Sequence, residues 1–383
     1  MAREVLLICG YAFPSENASA IRVYTIAKML QVLDYDPILI GLDQSGTGEE
    51  RGVTNGIRFF NIIASKCLSN RMFKYYYLYK SAIEAIENKL NEHDIQYAMI
   101  THIDGFLLSI LLRLSKRRNL TLFGNIVEWY DKRDFVSITD KFKLILNRWS
   151  MIFLNKRMRN IIAISSYLEK YYRKQGCNVV RIPAIIDVDD YRDIDQLYEV
   201  YSSKIIFAYA GYPGTKDSVV NFLCGAAELS SDDLEKIEIR LFGVTSQDMR
   251  ALGTTQEVMD KLQNHLYCMG RIPHSQVKQE IAKANFSILV RPDRRSSHAG
   301  FPTKLAESFA CGTPIIANLT SDLDLFLNDM KNSVICKDDS VSECKTAIQR
   351  VINLSNIDLL EMKKVAKISS RELDFHYYLA EMY

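Results

Sequence analysis

Short apolar runs alternate with longer stretches of helical periodicity along the whole chain, and this alternation restricts the fold more than any other feature. Val5–Cys9 predicts a first strand. From Ala20 to Leu33, the residues Val23, Ile26, Ala27, Leu30 and Leu33 recur at three- and four-residue steps and form one helical stripe. Further strands are predicted at Pro37–Leu42, Tyr97–Thr101, Thr121–Val127, Ile161–Ile164 and Val179–Ile182, with a helix over Phe106–Ser115. The second half repeats the style. Strands are predicted at Lys204–Ala210, Ile237–Phe242, Leu266–Met269, Phe286–Val290 and Pro314–Ala317, and helices near Ser218–Leu229 and Thr303–Cys311. Such alternation implies parallel sheets covered by helices on both faces.

The length, 383 residues, suits two domains. The polar, acidic stretch Asp187–Ser203 marks the boundary, giving domains at 1–185 and 186–383. Two Rossmann-like halves facing across a cleft form the simplest arrangement, with the last helix expected to pack back on the first half. A net charge of +2 argues against a surface built to coat nucleic acid. That total hides a split: residues 1–185 carry 26 Lys plus Arg against 17 Asp plus Glu, and the remainder is net acidic. No apolar run approaches the roughly 20 residues of a membrane span. The start, Met1–Gly10, turns polar too soon for a signal peptide. The eight cysteines show neither Cys-x-x-Cys spacing nor a Cys/His cluster, so free thiols in a reducing cytoplasm are expected and no zinc site is.

The segment from Ile288 to Asn318 carries the most chemistry. A buried strand ends at Arg291, a polar loop follows, and a helix begins near Pro302. The open N–H groups of a first helical turn bind anions. Thr303 and Glu307 share one face of that helix. A phosphorylated ribose fits the order: phosphate at the helix start, hydroxyls at Glu307. A capped helix with a solvated Lys304 and Glu307 has the same residues.

Gly300-Phe-Pro-Thr-Lys-Leu-Ala-Glu-Ser-Phe-Ala-Cys-Gly-Thr-Pro-Ile-Ile-Ala317 resembles the donor-site signature of GT-B glycosyltransferases, in particular the retaining family-four type of bacterial polysaccharide assembly. The likeness continues in order along the chain. Asn17–Leu33 resembles that family's N-terminal loop and helix, Val179–Tyr191 its domain crossing, Gly211–Lys216 the turn opening the donor domain, and Met269–His274 a nucleotide-contact loop. The resemblance implies that Glu307 binds the ribose and that Lys216 meets the donor diphosphate, aided by backbone groups of Thr303 and Lys304. Gly211, Gly214, Arg271, Arg291, Gly300 and Phe301 complete the implied donor site. Fixed cations and oriented N–H dipoles would stabilise the leaving diphosphate. No metal and no cofactor are therefore expected. The family's first glutamate would fall at Ala299, which leaves His298 or Arg291 as its replacement.

In the first half, Gly10, Ser19 and Arg22 belong to a strand-end loop and helix that could border donor and acceptor or simply connect two elements. Glu128 and Asp131 end an apolar strand and are candidates for acceptor activation, as is His102 at the end of another; surface carboxylates and a hydrogen-bonded histidine are the alternatives. Lys141–Arg159 carries six basic residues and no acid, with apolar residues at helical spacing. A helix lying on an anionic membrane and a core helix with a basic edge both fit. The resemblance implies a retaining transferase moving a sugar from a nucleotide donor, expected to be a UDP-sugar, to a glycan or lipid-linked glycan acceptor of capsule, O-antigen or exopolysaccharide synthesis. Its expected place is the cytoplasm, peripheral to the inner membrane face. A sugar-nucleotide epimerase and a non-catalytic partner subunit of the same fold are the alternative readings.

Overall fold

In the computed structural model, the described residues are 3–15, 17–46, 49–64, 71–134, 138–197 and 204–382. They fall into two units, Met1–Pro183 with Tyr378–Tyr383, and Ala184–Tyr377. The sequence boundary was expected at 185/186; the observed division comes at Pro183.

The first unit opens with β1 (Arg3–Cys9), α1 (Ala18–Val32), β2 (Tyr35–Asp43) and the pair β3 (Arg51–Thr54) and β4 (Ile57–Ile63). It continues through α2 (Arg71–Glu92), β5 (Tyr97–Thr101), α3 (Gly105–Arg118), β6 (Thr121–Ile126) and α4 (Ile138–Trp149) to β7 (Asn160–Ala163) and β8 (Asn178–Arg181). Among the described residues the sheet order is β3-β4-β2-β1-β5-β6-β7-β8, parallel except for β3 against β4. Leu6, Leu7, Ile8 and Cys9 are all fully buried, as a strand covered on both faces requires. The chain steps outward from β1 to one side and from β5 to the other, so the strand order reverses between them while the strands stay parallel. Helix starts are set by short polar caps: Asn17 accepts from the Ala20 N–H at 2.9 Å, and Asp104 accepts from Phe106 and Leu107 N–H.

The second unit holds β9 (Ile205–Ala210), β10 (Ile237–Phe242), β11 (Leu266–Cys268), β12 (Phe286–Leu289), β13 (Ile315–Asn318) and β14 (Ser333–Cys336). These six strands are parallel in the order β11-β10-β9-β12-β13-β14. Phe207, Phe222, Ile239, Phe286 and Ile316 are among the fully buried residues of its core. Here the strand order reverses between β9 and β12. In open α/β sheets, ligands bind outside the strand ends at such a reversal.

Three expectations need correction. The β3–β4 pair, helix α2 and strand β14 carry no strong period in the sequence and were not foreseen. The basic stretch Lys141–Arg159 is not one helix: α4 ends at Trp149, a π-helical segment spans Ser150–Leu154, and a 3-10 turn spans Asn155–Met158. The change of period splits its apolar face, so that Met151, Leu154 and Met158 turn inward while Ile145 and Phe153 stay exposed. The loop after Arg291 contains a short helix, Arg295–Ala299.

Candidate functional site

At the second unit's reversal point, two strand ends and one helix start converge on a buried carboxylate. The chain leaves β9 through Gly211 (φ 126°) and Gly214 (φ 52°), conformations that favour glycine. A Cβ at Gly211 would lie 3.4 Å from Lys304 Cε, so the glycine lets the backbone run alongside that lysine. The turn is tied to the end of β12 by the Ser218 N–H, which donates to the Val290 carbonyl at 2.7 Å. This tie sets Asp217 beside Arg291. Asn318, at the end of β13, holds Arg291 from both sides of its peptide, accepting from its N–H and donating to its carbonyl, each at 2.8 Å.

Asp217 then collects three partners. Lys304 Nζ donates to it at 2.8 Å, the Tyr209 hydroxyl donates at 2.7 Å, and Arg291 Nε lies 3.3 Å away. Burial by itself would raise the Asp217 carboxyl; the charges of Lys304 and Arg291 outweigh it and hold the group below its ordinary value. Burial and the Asp217 charge push the Tyr209 phenol up. Two cations against one carboxylate leave one positive charge in excess. Arg291 Nη1 is buried with no hydrogen-bond partner among the described residues.

The helix Thr303–Ala310 begins at this cluster. Its N-cap is Pro302, which offers no side-chain acceptor, so the first-turn N–H groups are not capped from within. One turn along, Glu307 is half-buried with His274 Nε2 3.7 Å from its Oε1. Lys304, Glu307 and His274 line one small hollow of about 30 Å³. Thr303, Lys304, Glu307, Gly211, Gly214 and Arg291 are thus brought to one end of the sheet.

Lys216 is on the turn but exposed, and the buried ionic role falls to its neighbour Asp217. Arg271 is exposed and acts on Asp248. Phe301 is buried edge-to-face against Phe326 at 5.5 Å, with buried Gly300 just before it. Ala299 is fully buried, and His298 bonds Asp293 at 2.6 Å, bringing a carboxylate into this loop. Asp217, Tyr209 and Asn318 were missed, and His274 was foreseen only as part of the loop Met269–His274. An Asp beside a Gly-rich turn was the only sequence signal for the first; the rest are set by tertiary placement.

The first unit's reversal point, between β1 and β5, has a different character. Gly10 closes β1 against β5, its N–H donating to the Thr101 carbonyl at 3.1 Å. A Cβ there would overlap the His102 carbonyl oxygen. His102 itself has φ 52°, a left-handed conformation that is strained for a side chain of its size. Its Nε2 lies 3.4 Å from Ser19 Oγ. Gly10, Ser19 and His102 therefore meet. Arg22 does not join them: it is buried, and its guanidinium binds the Ile182 and Pro183 carbonyls and Asn125 Oδ1. Burial lowers it to about 9. Asp131 is held by the Arg133 side chain at 3.0 Å and its backbone, within its own turn.

Beside His102 opens a cavity of about 970 Å³, bounded by the ends of β5 and β6 and by α2, α3, α4 and the π-helical segment. That volume is at the upper end of small-molecule sites. His102, Asp104, Asn125 and Glu128 line it. Burial, together with the Glu128 carboxylate, pushes the neighbouring Tyr130 phenol up.

Comparisons with known proteins bear on both units. Residues 204–354 match the family model described as Glycosyl transferases group 1. The matched span lies within the second unit. The ionic cluster around Asp217 and the helix Thr303–Ala310 both lie inside the matched span. An uncharacterized glycosyltransferase of Methanocaldococcus jannaschii is 23% identical over 235 residues, and the match spans 58% of this chain and 58% of that relative. Among solved structures, sucrose-phosphate synthase from Thermosynechococcus elongatus superposes with a TM-score of 0.76 at 15% identity, covering 99% of this chain and 97% of that one. Anabaena HepE, in complex with UDP and glucose, gives 0.70 at 13% identity, covering 99% and 98%. At these identities the likeness shows the fold, the two-domain α/β architecture of GT-B proteins. Among the described residues, no helix is long and apolar enough to cross a membrane.

Proposed function

We propose that the protein transfers a sugar from a UDP-sugar to a glycan or lipid-linked acceptor, with retention of anomeric configuration and without a metal. The match to the group 1 glycosyltransferase model supports transfer from a nucleotide sugar, and HepE, of the same fold, is a UDP complex. The observation that carries the reading is the surplus positive charge around Asp217. As the glycosidic bond breaks, the departing diphosphate gains charge. Lys304 and Arg291, held in place by Asp217, and the N–H groups of Thr303 and Lys304 would stabilise that charge without reorganising. Glu307, one turn along, would take the ribose hydroxyls. The signature segment that resembles family four supports retention. Exposed Ile145 and Phe153 beside Arg148 and Lys156 support peripheral contact with an anionic membrane at its cytoplasmic face. Capsule, O-antigen or exopolysaccharide assembly is the setting this implies.

The test is thermal shift of the full chain with a panel of nucleotide sugars, followed by resolution of the products with candidate acceptors. A bound donor at about 100 times its dissociation constant adds about 2.7 kcal/mol. Lys304→Ala is expected to weaken UDP binding by about 10- to 100-fold, the worth of a charge-assisted hydrogen bond. Conversion of the free UDP-sugar to its epimer would overturn the transferase reading.

A further inference from the structure

Two helices of the second unit begin among the donor residues: His274–Lys283 with His274, and Thr303–Ala310 with Lys304 and Glu307. Their far ends are held by polar side chains that the donor chemistry leaves unused. The Thr313 hydroxyl donates to the Ile281 carbonyl at 2.7 Å. Lys363 Nζ donates to the Ala282 carbonyl at 2.8 Å and to the Ala284 carbonyl at 2.6 Å. One turn further along the helix Asn356–Ser369, Lys367 Nζ donates to the Ala310 carbonyl at 2.7 Å. Carbonyls of a last helical turn have no partner within the helix, and a cation suits that end of the dipole.

Lys363 is the unusual member of this set. It is only 2% exposed. Burial lowers its ammonium to about 8, and its two hydrogen bonds go to carbonyls. Burying a charge is costly. Leu359 and Met362 of the same helix fill the core without that cost. What the ammonium adds is a directed hold on one turn. The Ala282–Ala284 turn joins the helix His274–Lys283 to β12. One arm from that turn is a helix of 10 residues, about 15 Å long at 1.5 Å per residue, with His274 beside Glu307 at its tip. The other arm is β12, which runs out to Arg291 beside Asp217.

We infer that Lys363 is a positioning residue for the donor site: by holding the Ala282–Ala284 turn, it sets the spacing between the ribose contact at His274 and Glu307 and the diphosphate contact at Arg291 and Lys304. The inference rests on the donor-site reading of those four residues and goes beyond it, since Lys363 acts on them through backbone. Lys367 does the same for the helix Thr303–Ala310, less strongly because it is half-buried. A nucleoside diphosphate spans both contacts and feels their spacing. Pyrophosphate and uridine each use one contact and do not.

Calorimetry on the full chain with UDP, pyrophosphate and uridine tests this. Lys363→Met is expected to weaken UDP by about 10-fold, the worth of one well-aligned charged hydrogen bond, and to leave both fragments binding as they do to the parent. Lys363→Arg, which keeps a charged donor, should recover most of the lost affinity. Lys364→Met, at the exposed neighbouring position, should bind all three like the parent. If Lys363→Met does not fold, Lys367→Met carries the test, with a smaller loss confined to UDP. Equal weakening of UDP and its fragments marks a purely structural lysine and overturns the inference, as does parent affinity for all three. The donor reading is judged on the parent: failure to bind UDP sinks that reading and the inference with it, whereas tight UDP binding without a selective loss in the variants sinks the inference alone.

Discussion

The two units build the same device, a parallel sheet whose strand order reverses near its middle, and equip it in opposite ways. In the second unit, the strand ends carry two cations, one carboxylate and an uncapped helix start, all tied together by short hydrogen bonds. In the first, they carry a histidine in a left-handed conformation, the carboxylates Asp104 and Glu128, and a large cavity walled by aromatic and methionine side chains. The backbone topology decides where a ligand can sit. The side chains at a few strand ends decide which chemistry that ligand meets.

If the ionic cluster is a single unit, breaking its centre has the largest effect. Asp217→Asn leaves buried Arg291 and half-buried Lys304 without their counter-charge and is expected to cost about 3–5 kcal/mol. Hydrogen exchange should show the loss in β9 and β12 and not in β1 and β5. The first unit is most sensitive where backbones touch. Gly10→Ala drives a Cβ into the His102 carbonyl and is expected to cost about 1–3 kcal/mol, with loss of acceptor turnover and retention of UDP binding.

Acid should separate the units by sign. The Asp217 carboxyl sits below its unfolded value, so its contribution is present above that value and is lost as pH falls through the folded one. The Asp104 carboxyl sits above its unfolded value, so the native state binds the proton first and stability rises as pH falls through its folded value. Below about pH 4, exchange protection should therefore fall around β9 and hold around the start of α3. The smallest effect is expected from Ser150→Ala. Removing a buried hydroxyl that has no partner should leave stability within about 0.5 kcal/mol of the parent or raise it, and urea unfolding measures this. A loss above about 2 kcal/mol would mean that Ser150 has a partner, and the contrast with Asp217 would fail.

Much of this was legible in the sequence, for identifiable reasons. Tyr97–Thr101 is an apolar run and Ile237–Phe242 alternates apolar with charged residues at its start, and both are bounded by turns, so their limits were read to the residue. The Thr303–Glu307 face was legible because helical spacing is local. The β3–β4 pair was not, since an edge hairpin alternates weakly and carries exposed residues such as Val53. Asp217 was overlooked in favour of Lys216 because a sequence shows charge and not burial. Arg22 was grouped with the cleft loop of Gly10 and Ser19 for the same reason; its three polar partners lie at Asn125, Ile182 and Pro183, far along the chain. The change from α to π winding at Ser150 follows from packing and leaves no local mark.

The division of the chain also bears on how the molecule is made. The first unit owns Met1–Pro183 and then Tyr378–Tyr383, with the whole of the second unit translated in between. On the ribosome, its eight-stranded sheet can form early, since every strand of it precedes residue 184. Its last segment emerges only after roughly two hundred more residues, about 10–40 s later at ordinary elongation rates. Through that interval the nascent first unit must stay folded without its final piece, and completion of the two units is ordered by synthesis itself.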